Sequence, residues 1–165
     1  MLTGENQDNF TLNVSPPVRL DKIAPVKGEV AAGVWLEHEF MDDDKYPPVA
    51  ANINPKYSDI EQYALRVKGD SMDKYVKDGE HVICIDFAAT GEAIPEDNKV
   101  VVVRRERAGT TEYSLKRVRR LGNGDYELWP ESNNPLFQKP IGMGHKDEGT
   151  TVTITGLVIG RNLND

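Results

Sequence analysis

The sequence has one cysteine, three histidines and no long apolar run. Cys84 stands alone among 165 residues, so the chain cannot form an internal disulfide or a thiolate metal site. The histidines, at positions 38, 81 and 145, are too widely separated to suggest a structural zinc. No apolar stretch approaches the roughly 20 residues that cross a bilayer. We therefore expect no metal, no cofactor and no membrane span.

Positive charge is also scarce outside one stretch. The formal net charge is −7, which opposes binding to a phosphate backbone. Residues 99–120 are the exception, with eight Lys or Arg against two Glu. The amino terminus, MLTGENQDNF, has neither the basic start nor the apolar stretch of a secretory signal, so we expect a cytoplasmic protein.

Three regions differ in composition. Residues 1–28 are polar, contain three prolines and lack periodicity, which predicts a flexible amino-terminal arm or linker. Residues 29–51 combine an apolar stretch, VAAGVWL, with an acidic run that we interpret as a solvated loop. Residues 52–165 contain the remaining apolar pattern and should form the folded domain.

Short strands separated by turn residues dominate the chain after Tyr57. Residues 100–103 are all valine, which predicts a strand buried on both faces. Helical periodicity is weak except for one or two turns after Ser71. The fold class is therefore mostly β, a compact sandwich or partly closed barrel of short strands. The predicted strands are 63–67, 81–86, 100–103, 111–118, 126–129 and 151–159.

The string Gly69-Asp70-Ser71-Met72 ends the first of these strands. A glycine at that point permits a sharp turn, which places the Ser71 hydroxyl and nearby amide N–H groups at a strand edge. Such amides stabilise a developing oxyanion. The alternative is that Asp70 or Ser71 simply caps the following turn.

Lys116 lies at the centre of the predicted strand 111–118. Alternation places it on one face with Ser114 and Val118. A lysine forced into an apolar site can lose its proton and act as a base, and a neutral amine can activate a serine in place of histidine. The alternative is an exposed strand lysine in a basic stretch.

Four segments in order resemble the LexA-like self-cleaving proteins of peptidase family S24, which include phage repressors and UmuD-type polymerase accessory proteins. The segment around Ser71 is similar to that family's nucleophile segment, and the one around Lys116 to its general-base segment. The matching segments are YALRVKGDSMDKYVKDGEHVICI (63–85), NKVVVVRRERAGTTEYSLKRVRR (98–120), LWPESNNPLFQKPI (128–141) and VTITGLVIGR (152–161).

The resemblance implies a compact peptidase fold of short twisted strands, with Ser71 as nucleophile and Lys116 as general base. It also implies that the chain cleaves itself between a small residue and glycine. Residues 28–33, GEVAAG, resemble the family's cleavage segment, and this resemblance implies Ala32-Gly33 as the scissile bond. The small side chains of Ala31, Ala32 and Gly33 would let the backbone approach the serine, and Val30 would occupy a shallow apolar pocket. Without the two catalytic residues, the same string would be a plain turn or strand.

The same resemblance implies partners. They are a second copy of the chain in a homodimer, a RecA filament on single-stranded DNA as co-protease, and operator DNA reached only through a helix-turn-helix domain that this chain lacks. We therefore expect the carboxy-terminal domain of a phage-type repressor that acts in the SOS response to DNA damage. A UmuD-like accessory protein and a catalytically idle dimerisation module remain alternatives. A signal peptidase is disfavoured because the chain has no apolar anchor.

Overall fold

A computed structural model describes residues 22–37, 46–142 and 149–162, and within them the chain is mostly β. Ten strands and two short 3-10 helices, Pro55–Tyr57 and Phe87–Thr90, make up the regular structure of those residues. The strands are β1 (Ile23–Ala24), β2 (Val26–Val30), β3 (Val49–Ala50), β4 (Tyr63–Val67), β5 (His81–Asp86), β6 (Val100–Arg107), β7 (Thr110–Arg120), β8 (Tyr126–Trp129), β9 (Ile141–Gly142) and β10 (Thr150–Asn162). The predicted fold class is confirmed.

Eight of these strands form one sheet, in the order β2-β4-β5-β10-β6-β7-β8-β9, and β1 pairs with β3 separately. Neighbours are antiparallel except β2 and β4, which run parallel. The chain leaving β2 also contacts β7, where the Ala31 N–H donates to the Tyr113 carbonyl oxygen over 2.8 Å. The sheet therefore curls, as a right-handed twist favours, and brings the end of β2 onto β7.

The apolar core has a cluster on each face of the curled sheet. One cluster unites valines and leucines of β4 to β7 with Met72 and Val76 from the turn after β4. A second cluster includes Val101 and Val103, the alternate residues of the same β6 stretch. All four valines of residues 100–103 are buried, as the uniform β-branched run predicts.

The structure changes one predicted boundary. Residues up to 21 of the predicted arm, and residues 38–45 with most of the acidic run, lie outside the described residues. Residues 23–28, however, belong to β1 and β2. Val26 and Val30 are buried there, because parallel pairing with β4 covers a segment whose sequence has no clear period.

Candidate active site

Ser71 lies in a tight turn that follows β4. Gly69 has a φ of +86°, which a residue with a Cβ adopts only at a cost, and its N–H donates to the Asp78 carboxylate over 2.7 Å. One helical turn follows, since the Val76 N–H donates to the Met72 carbonyl oxygen over 2.8 Å. The glycine thus reverses the chain and leaves Ser71 only 8% exposed at the end of the strand.

Backbone N–H groups are available beside this hydroxyl. Among the described residues, neither the Ser71 nor the Met72 N–H donates a hydrogen bond. Buried N–H groups are normally paired, and two free ones in succession can bind an oxygen that carries negative charge.

The segment after β8 holds the Ser71 turn in place. The Glu131 N–H donates to the Ser71 carbonyl oxygen over 3.2 Å, and the buried Ser132 hydroxyl donates to the Asp70 carbonyl oxygen. The Asn134 side-chain amide donates to both oxygens of the Asp70 carboxylate at 3.2 Å. Asp70 therefore connects the turn to a neighbouring loop. The sequence interpretation gave Gly69, Asp70 and Met72 a supporting role in the Ser71 loop, which stays a prediction, and it did not identify Asn134 as the partner of Asp70.

Lys116 is buried on β7 and is not an exposed strand lysine. Its side chain is only 5% exposed, and its Nζ donates to Ser114 Oγ at 3.1 Å and to the Leu115 carbonyl oxygen at 3.2 Å. Burial lowers the pKa of Lys116 to about 8, an effect that the nearby Glu112 carboxylate opposes and Arg105 reinforces. The amine is therefore partly neutral near physiological pH.

Glu112 shares this face of β7 and is more deeply buried, at 1% exposure. Its carboxylate accepts two hydrogen bonds from the Arg105 guanidinium, at 2.6 and 2.9 Å, and one from the Gly33 N–H at 2.7 Å. Burial alone would raise the pKa of Glu112, but the bonds from Arg105 and Gly33 and the charge of Lys116 lower it. Glu112 is a charged neighbour of Lys116 that the sequence interpretation did not identify.

The predicted cleavage segment is docked onto β7. The Val30 carbonyl oxygen accepts from the Lys68 N–H at 2.9 Å, and Leu36 and Thr111 exchange backbone hydrogen bonds of 2.9 and 2.8 Å. Between these points the chain makes a turn in which the Val34 N–H donates to the Ala31 carbonyl oxygen over 3.2 Å. Gly33 is the third residue of that turn, with a φ of +80°, which is the position where a type II turn requires glycine.

Ala32 and Ser71 line the same small recess. Its other walls are Val30, Val67, Lys68, Met72 and Leu115. The recess has no space for a water-sized molecule, because the segment itself fills it. The structure thus brings the serine and the residue before the predicted scissile bond together.

The contact between Ser71 and Lys116 stays a prediction. Within the described residues the Lys116 amine donates to Ser114 and Leu115 rather than to the Ser71 hydroxyl. Leu115, the residue before Lys116, lines the recess, and a dyad would require the Lys116 amine to exchange its present bonds for one to the Ser71 hydroxyl.

In the part of the chain that the structure describes, neither His81 nor Cys84 lines the recess. Burial and Arg66 lower the pKa of His81, which opens β5, and the other two histidines lie outside the described residues. Cys84 is fully buried and burial raises the pKa of its thiol, so it packs as an apolar residue.

The described residues contain neither a cluster of metal ligands nor a membrane-spanning helix. No three His, Cys, Asp or Glu side chains there are grouped so as to hold a metal ion. In the same residues no helix has the length and apolar character to cross a membrane.

Comparison with protein-family models gives a match over most of the chain. The family model described as Peptidase S24-like matches residues 25–159, which include the Ser71 turn, β7 and the docked segment. No curated protein matches the sequence. The matched region covers most of the chain and all of the elements that form the recess.

Proposed function

The chain belongs to the Peptidase S24-like family, and from this premise we propose that it is a self-cleaving serine peptidase of the LexA type. Ser71 is the nucleophile, Lys116 is the general base, and the bond between Ala32 and Gly33 is the substrate. The observation that carries the proposal is the recess that Ser71 and Ala32 share.

In the proposed self-cleavage reaction, Lys116 alone accepts and returns the proton. Neutral Lys116 takes the Ser71 proton, and Ser71 Oγ forms a bond to the Ala32 carbonyl carbon. The free N–H groups of Ser71 and Met72 stabilise the resulting oxyanion. As the carbon–nitrogen bond breaks, the protonated Lys116 returns its proton to the Gly33 nitrogen, and water then hydrolyses the Ala32 ester. Catalyst and substrate share one chain, so their effective concentration is high.

The positive charge on Lys116 slows self-cleavage at neutral pH, because a protonated amine cannot act as the base. The docked segment already lies against Ser71, so distance does not protect it. With a pKa of about 8, roughly a tenth of the molecules hold a neutral amine at pH 7. The Lys116 side chain must also turn from Ser114 towards Ser71, and both requirements slow the reaction.

We propose further that this peptidase is the carboxy-terminal domain of a phage-type repressor, that it forms a homodimer, and that RecA on single-stranded DNA promotes its cleavage during the SOS response. The resemblance of residues 33–37, GVWLE, to phage-type repressors supports this choice over a UmuD-like accessory protein. A co-protease needs only to favour the cleavable arrangement over the resting one.

A catalytically idle dimerisation module is the second candidate. It is favoured by one observation, that the Lys116 hydrogen bonds go to Ser114 and Leu115. In that case the buried lysine would be a structural residue of β7.

Incubation of the purified chain between pH 9 and 10, followed by intact-mass measurement, separates the two candidates. Self-cleavage yields fragments 1–32 and 33–165 with a first-order rate that does not depend on protein concentration. Ser71→Ala and Lys116→Ala should abolish it, and the exposed-residue controls Ser58→Ala and Lys99→Ala should not. A chain that stays intact but still dimerises would identify the idle module.

A further inference from the structure

Trp35 is the third residue after the predicted scissile bond and contacts two arginines of β6. The Arg107 guanidinium carbon lies 4.3 Å from the centre of a Trp35 ring, and the Arg105 guanidinium carbon lies 5.0 Å from it. A guanidinium within about 6 Å of an indole ring is attracted to its face. Two residues of one strand therefore hold the ring through cation–π contacts.

Arg105 also connects the Trp35 ring to the scissile bond, through Glu112. Arg105 also binds Glu112, and Glu112 accepts the hydrogen bond of the Gly33 N–H. Gly33, Glu112, Arg105, Trp35 and Arg107 thus form one continuous set of contacts, which we call the Trp35 clamp. It attaches the segment at the nitrogen of the scissile bond and again two residues later.

Other side chains of this part of the segment contribute little. Val34 and Leu36 are 41% and 39% exposed, and Leu36 is held through its backbone pairing with Thr111. Trp35 is half-buried, so it covers more of its apolar side chain than either neighbour does. Trp35 is the residue whose side chain makes a specific attachment.

We propose that Trp35 is a positioning and specificity residue, whose clamp by Arg105 and Arg107 keeps residues 33–36 docked on β7. The inference deepens the proposed function and rests on it for its consequence in catalysis. It implies that this site accepts a small residue, then glycine, then an aromatic residue two positions further on.

Amide hydrogen exchange of a peptide covering residues 31–36 measures docking without any cleavage. The parent is the full chain carrying Ser71→Ala, which stays intact. The variants added to it are Trp35→Ala, Trp35→Phe and Arg107→Ala. Arg119→Ala is the matched control, because Arg119 is an exposed arginine stacked on the other tryptophan, Trp129, at 5.2 Å.

Loss of one exposed cation–π contact should raise the exchange rate about two- to fivefold in Arg107→Ala. Trp35→Ala loses both contacts and should exchange faster still, whereas Trp35→Phe keeps an aromatic ring and should restore most of the protection. Arg119→Ala should match the parent. If Arg107→Ala and Trp35→Ala exchange no faster than Arg119→Ala, the clamp does not hold the segment and the proposal is overturned.

The same substitutions with Ser71 intact test the catalytic consequence. The self-cleavage rate at pH 9.5 should fall in parallel with the loss of protection, while the pH midpoint of the rate stays fixed because Lys116 is unaltered. Cleavage at the parental rate despite faster exchange would overturn the positioning role. A parent that never cleaves would refute the proposed function, and the exchange measurements would still decide whether Trp35 holds the segment.

Discussion

Lys116 Nζ lies 3.1 Å from Ser114 Oγ, two residues earlier on the same face of β7. Glu112 lies two residues further back on that face, and its carboxylate raises the pKa of the amine. Burial is the main influence on the charge of the candidate base, and Glu112 of the same strand and Arg105 of β6 adjust it in opposite directions.

The rate of self-cleavage should follow the neutral fraction of Lys116. Because burial lowers its pKa to about 8, the rate should increase nearly tenfold per pH unit below pH 7, reach half its maximum near pH 8 and level off by about pH 9.5. First-order rates from intact-mass measurements between pH 6 and 10 test this. A rate that is constant from pH 6 to 8, or a midpoint near that of an ordinary lysine, would be inconsistent with Lys116 as the base.

Neutralising Glu112 should make the chain cleave faster at neutral pH. Its carboxylate raises the pKa of Lys116, so Glu112→Gln should move the midpoint of the pH profile downward and increase the rate at pH 7 by roughly two- to tenfold. The glutamine oxygen can still accept the Gly33 hydrogen bond, which preserves docking. Glu96→Gln, an exposed control, should leave the profile unchanged, and an upward shift in Glu112→Gln would contradict the assigned electrostatics.

Removal of the Lys116 amine should stabilise the fold. The pKa of Lys116 in the native state lies below that of an unfolded lysine, so between about pH 8 and 10.5 the unfolded chain binds more protons and stability rises with pH. Below pH 8 the native state bears the full cost of the buried charge. In the Ser71→Ala background, Lys116→Met should therefore raise the free energy of unfolding at pH 7 by about 1–3 kcal/mol.

Urea denaturation at pH 7 and pH 10 measures this difference. The advantage of Lys116→Met over its parent should shrink at the higher pH, where the native lysine is already neutral. Lys99→Met, an exposed control, should show neither effect. A destabilised Lys116→Met protein would mean that the bonds to Ser114 and Leu115 outweigh the burial cost.

Much of the sheet is predictable from sequence because its strands carry strong local signals. Strands 63–67, 81–86 and 126–129 have the predicted bounds, since each has several apolar residues and a glycine, aspartate or proline at or within two residues of its end. β2 was not predicted because only two of its five residues, Val26 and Val30, are large and apolar, and Pro25 and Gly28 are typical of a linker. Its burial depends on pairing with β4, more than 30 residues away, and no local pattern encodes such a partner.

In the candidate site too, some residues have a local sequence signal, whereas the contacts between distant residues do not. The resemblance nominated Ser71 and Lys116, whose catalytic roles stay predictions. One more step of alternation from Ser114 would have reached Glu112. The bond from Gly33 to Glu112 joins residues 79 positions apart, so only the curled sheet reveals it. Ser132 and Asn134 belong to a turn signal in sequence, and their bonds to Asp70 depend on a loop returning to the Ser71 turn.

Ser132 should support catalysis without affecting its pH dependence. Its buried hydroxyl donates to the Asp70 carbonyl oxygen and accepts from the Asn134 N–H at 2.9 Å. Ser132→Ala leaves both groups without that partner, which should lower the free energy of unfolding by about 1–3 kcal/mol. The Ser71 turn loses an anchor, so the cleavage rate should fall at every pH, whereas the midpoint near pH 8 should not move because Lys116 keeps its surroundings. Ser58→Ala serves as the exposed control, and a shifted midpoint in Ser132→Ala would show that the turn and β7 are electrostatically coupled.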